Sequence, residues 1–85
     1  MDMKRMMGGR PRIAVIEPNT LAVLGLKNIL QNVLPIMEVE TFSSFDDFYT
    51  ANPDSFFHYF VAQTIVLENR IFFTERRQKT ILLTV

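Results

Sequence analysis

Apolar and polar positions divide the chain into alternating strand-like and helix-like stretches. Arg12 to Ile16, after Pro11, is a short run whose last four residues are all apolar and mostly β-branched, the pattern of a strand buried on both faces of a parallel sheet. Glu17, Pro18 and Asn19 break it, and Asn19 can accept a bond from a first-turn amide as the N-cap of a helix beginning at Thr20. From Thr20 to Leu34 the residues Ala22, Leu26, Ile29, Leu30 and Val33 recur at three- and four-residue spacing, with Lys27, Asn28 and Gln31 on the other side. This predicts an amphipathic helix lying against the sheet. Met37 to Phe42 alternates with period two, as an edge strand does, and its glutamates discourage stray pairing.

Ser43 or Ser44 can cap a second helix, with Asp46 and Asp47 favourably placed at the positive end of its dipole. Phe45, Phe48 and Tyr49 form its inward stripe, and Asn52-Pro53 ends it. Phe57 to Val61 is aromatic and β-branched, which predicts a third strand. Ile65 to Lys79 repeats its apolar residues at seven-residue spacing and ends in charge, which predicts a third helix. Thr80 to Val85 is a last short apolar run. Strands alternating with helices imply right-handed crossovers and a parallel sheet with helices on both faces. The expected organisation is a basic flexible arm over 1–11 and one α/β domain of about four strands and three helices over 12–85.

Size and composition narrow the possibilities. The 85 residues leave room for one small core, and with no Cys or Trp neither disulfides nor a thiolate metal site can reinforce it. At 48% apolar residues, eight of them Phe, the chain is rich enough to fold. Nine basic and nine acidic side chains cancel, which argues against holding a polyanion through many phosphate contacts. No apolar run is long enough to span a membrane, and the expected location is the cytoplasm.

The segment from Arg12 through Leu30, with Gly25-Leu26-Lys27 in its helix and Ile81-Leu82-Leu83-Thr84 near the other end, resembles a bacterial response-regulator receiver domain. The nearest group is the one whose receivers precede a LuxR-type helix-turn-helix. The resemblance implies a flavodoxin-like, doubly wound sheet of order 2-1-3-4-5, here without its fifth strand, whose working site lies at the carboxyl ends of the central strands. It is weakest between Ala62 and Lys79.

Receivers accept a phosphoryl group on an Asp at the end of strand three, with Mg²⁺ held by that Asp and an acidic pair after strand one. In this sequence the acidic pair is reduced to Glu17 followed by Pro18, and the acceptor position falls on Ala62 or Gln63. No Asp or Glu occurs between Asp54 and Glu68, and a hard cation's oxygen ligands are not easily replaced. Thr84 matches the family's switch hydroxyl. The resemblance therefore implies a pseudo-receiver: not an enzyme, without metal, cofactor or small-molecule substrate, and touching DNA only through a further C-terminal domain. A phosphorylatable receiver using Glu17 and Glu68, or a free-standing adaptor, are the alternatives.

Other candidate chemistry has bland readings. His58 lacks partners at ligand spacing, and Gly8-Gly9 lacks the strand-turn-helix context of a phosphate loop. Glu75 to Lys79 reads as a solvated helix end. In a 2-1-3-4 sheet Thr80, Ile81, Leu82, Leu83, Thr84 and Val85 form an apolar open edge, which something should cover. A homodimer or another protein domain is the expected partner.

Overall fold

The structure is a computed structural model describing residues 10–84. Four strands, β1 (Arg12–Ile16), β2 (Glu38–Phe42), β3 (His58–Ala62) and β4 (Thr80–Leu83), form one parallel sheet in the order β2-β1-β3-β4. This is an α/β fold of flavodoxin-like order. Helices α1 (Thr20–Val33), α2 (Phe45–Thr50), α3 (Gln63–Glu68) and α4 (Arg70–Thr74) make the crossovers, with short 3₁₀ turns at Pro53–Ser55 and Arg77–Lys79.

β1 is the central strand expected of its composition. Ile13 and Val15 enter the core beneath α1, Ala14 and Ile16 the core beneath α2, α3 and α4, and all four are buried. Residues 1–9 of the expected arm lie outside the described residues. Arg10 is anchored, its guanidinium donating to the carbonyls of Pro35, Ile36 and Met37 at 2.9–3.3 Å. Arg12 ties β1 to its neighbours by donating to Glu40 at 2.6 Å and Ser55 at 2.9 Å while lying over the Phe56 ring.

Both helix caps form as expected. Asn19 Oδ1 accepts from Leu21 N and Ala22 N at 3.0 and 3.2 Å, and Ser44 Oγ accepts from Asp47 N at 3.2 Å. The inward line of α1 differs from the expected one. Val23, Leu26, Leu30 and the following Leu34 face the sheet, whereas Ala22, Ile29 and Val33 are exposed. The apolar arc of α1 is wide enough for two neighbouring inward lines, so periodicity alone does not choose its rotation; contact with Ile13, Val15 and Val39 does.

The second difference lies after β3, which begins one residue later than expected and runs through Ala62, with α3 starting at the next residue. The single helix expected over Ile65 to Lys79 is two short helices and a 3₁₀ turn, broken at Asn69 with φ −135° and ψ 48°. The Asn69 side chain donates to Ile65 O at 2.9 Å, the carbonyl its own amide would reach in a continuing helix, and that amide turns to Val66 O instead. The break lets Phe72 and Phe73 turn inward onto Phe45 and Phe48, with centroids 5.1–6.3 Å apart. Asn52, at φ 60°, supplies the left-handed residue between α2 and Pro53, a conformation that Asn tolerates better than most side chains.

Phe48 centres this aromatic cluster, meeting Phe42, Phe45, Phe56, Tyr59, Phe72 and Phe73. Phe48→Ala is expected to cost about 3–5 kcal/mol in urea unfolding, against about 0.5 kcal/mol for Phe57→Ala at an exposed position. Tyr59, fully buried, donates its hydroxyl to Pro53 O at 2.7 Å. Burial pushes its pKa above the ordinary value, partly offset by the Arg76 guanidinium. The neutral phenol is thus favoured in the folded chain, so its contribution is complete below the unfolded pKa of about 10 and fades as pH climbs through the higher native pKa. Tyr59→Phe should flatten the alkaline limb of a stability-versus-pH curve and cost about 1 kcal/mol at neutral pH.

Candidate functional site

The carboxyl ends of the strands are where a doubly wound sheet holds its ligands, and the residues singled out there are separated. Glu17 continues β1, its amide donating to Phe42 O at 3.0 Å, while its carboxylate accepts from Asn19 N at 2.8 Å. That carboxylate closes its own turn. It lines a shallow depression of about 250 Å³ with Pro18, Thr20, Val23, Thr41, Phe42 and Ser43, all from the β1 and β2 side.

Ala62 is buried at the last position of β3, and Gln63 is exposed as the first residue of α3. No loop intervenes to carry a polar side chain back over the strand ends. Glu68 ends α3, exposed, and borders a different depression from Glu17, so the fold does not gather these two carboxylates into one pocket. Thr84 is exposed just past β4, and Val85 lies outside the described residues. Among the described residues no group of three His, Cys, Asp or Glu side chains is placed to hold a metal ion.

The other charged candidates take structural positions. Asp46 and Asp47 occupy the first turn of α2. His58 is half-buried with its ring edge-on to Phe57 at 4.7 Å. Arg76 pairs with Asp54 at 3.0 Å, donates to Phe72 O and stacks over the Phe72 ring at 3.9 Å, while Lys79 lies over Tyr59 at 5.0 Å. Those two cations brace the α4 end against β3.

The surface is notable for apolar side chains. An open groove of about 830 Å³ runs between α2 and the α3–α4 pair, floored by Phe45 and Phe72, walled by Tyr49, Leu67 and Ile71, and bordered by Glu68 and Glu75. The break at Asn69 lies in its wall, and the expectation of one continuous helix did not show it. The only sequence signal is the four-residue spacing of Leu67 and Ile71. On the opposite side, Leu21, Leu24, Ile29, Val33 and Ile36 stand exposed along and just beyond α1. At the sheet edge, Ile81 and Leu82 are also exposed.

No family model, curated protein or solved structure matches this chain. No helix among the described residues is long and apolar enough to cross a membrane.

The bracing role of Arg76 is testable. Losing its exposed ion pair and ring stacking should make Arg76→Ala cost about 1–2 kcal/mol in urea unfolding, whereas Arg77→Ala, at an exposed position, should stay within about 0.5 kcal/mol.

Proposed function

We propose that this chain is a non-catalytic, receiver-like module of a cytoplasmic, response-regulator type transcriptional regulator, acting by protein contact, self-association above all, in place of aspartyl phosphorylation. The observation that carries the reading is the junction Ala62-Gln63. A methyl group ends β3 and an amide opens α3 where an acceptor carboxylate is needed, and the nearest acidic side chain on the β1 side, Glu17, is engaged in its own turn. Phosphoryl transfer to a carboxylate needs that nucleophile beside a divalent ion held by further oxygens, and the strand ends supply neither set.

Protein contact is supported by the contrast between the two sheet edges. β2 carries Glu38 and Glu40, the kind of charge that blunts an edge, whereas β4 is Thr-Ile-Leu-Leu with no charge, proline or glycine. Contact with DNA is assigned to a separate domain of the regulator, because the nine basic side chains of this chain are balanced by nine acidic ones.

The test is incubation with acetyl phosphate and Mg²⁺ followed by intact-mass measurement. The unmodified mass is expected throughout. A phosphoryl adduct, mapped to Glu17, Glu68 or any other carboxylate, would replace this reading with that of a working receiver.

A further inference from the structure

We draw no further inference here: the strongest candidate, the open apolar groove between α2 and the α3–α4 pair walled by Tyr49, Leu67 and Ile71, carries none, because its border sets Arg70 beside Glu68 and Glu75, with Arg76 a further cation 3.8 Å from Glu75, and nothing in the structure shows what covers it.

Discussion

The structure depends on a single strand buried on both faces. β1 bonds to β2 on one side and β3 on the other, and its four successive buried residues serve two cores in alternation. Side chains that project alternately above and below a sheet can all be apolar only if both faces are covered. That requirement puts helices on both faces, and among the described residues their covering is uneven. Among the described residues, three short helices deliver a continuous set of aromatic rings on one side, and a single longer helix packs on the other.

The unevenness links fold to function. On the aromatic side, packing is so close that the chain gives up regular helix to achieve it: Asn69 interrupts the segment after β3, and Phe72 and Phe73 reach the cluster around Phe48 as a result. The same compaction starts α3 directly after Ala62, leaving no loop above the strand end in which ligand-binding side chains could be presented. On the other side, among the described residues, Ile29 and Val33 of α1 and Ile81 of β4 stand exposed.

Several of these features were legible in the residues alone. The unbroken apolar run from Ile13 to Ile16 requires a doubly covered strand, Asn19 and Ser44 cap the helices they precede, and the glutamates of β2 mark an edge. Alternation of such elements is enough for a parallel sheet, because short segments joined by single helices have few other ways to pack. The lack of a carboxylate at the end of β3 is likewise a fact of composition, since no acidic residue lies between Asp54 and Glu68.

The tertiary structure decided what local pattern leaves degenerate. In α1 the apolar arc is wide enough for neighbouring rotations, so only contact with Ile13, Val15 and Val39 selects Val23, Leu26 and Leu30 and leaves Ile29 and Val33 outside. After β3, periodicity favours one long helix, and the break at Asn69 accompanies the burial of Phe73 and the packing of half-buried Phe72 against a cluster assembled from distant segments. Local sequence sets which conformations are cheap; burial among residues far apart in the chain chooses between those of nearly equal cost.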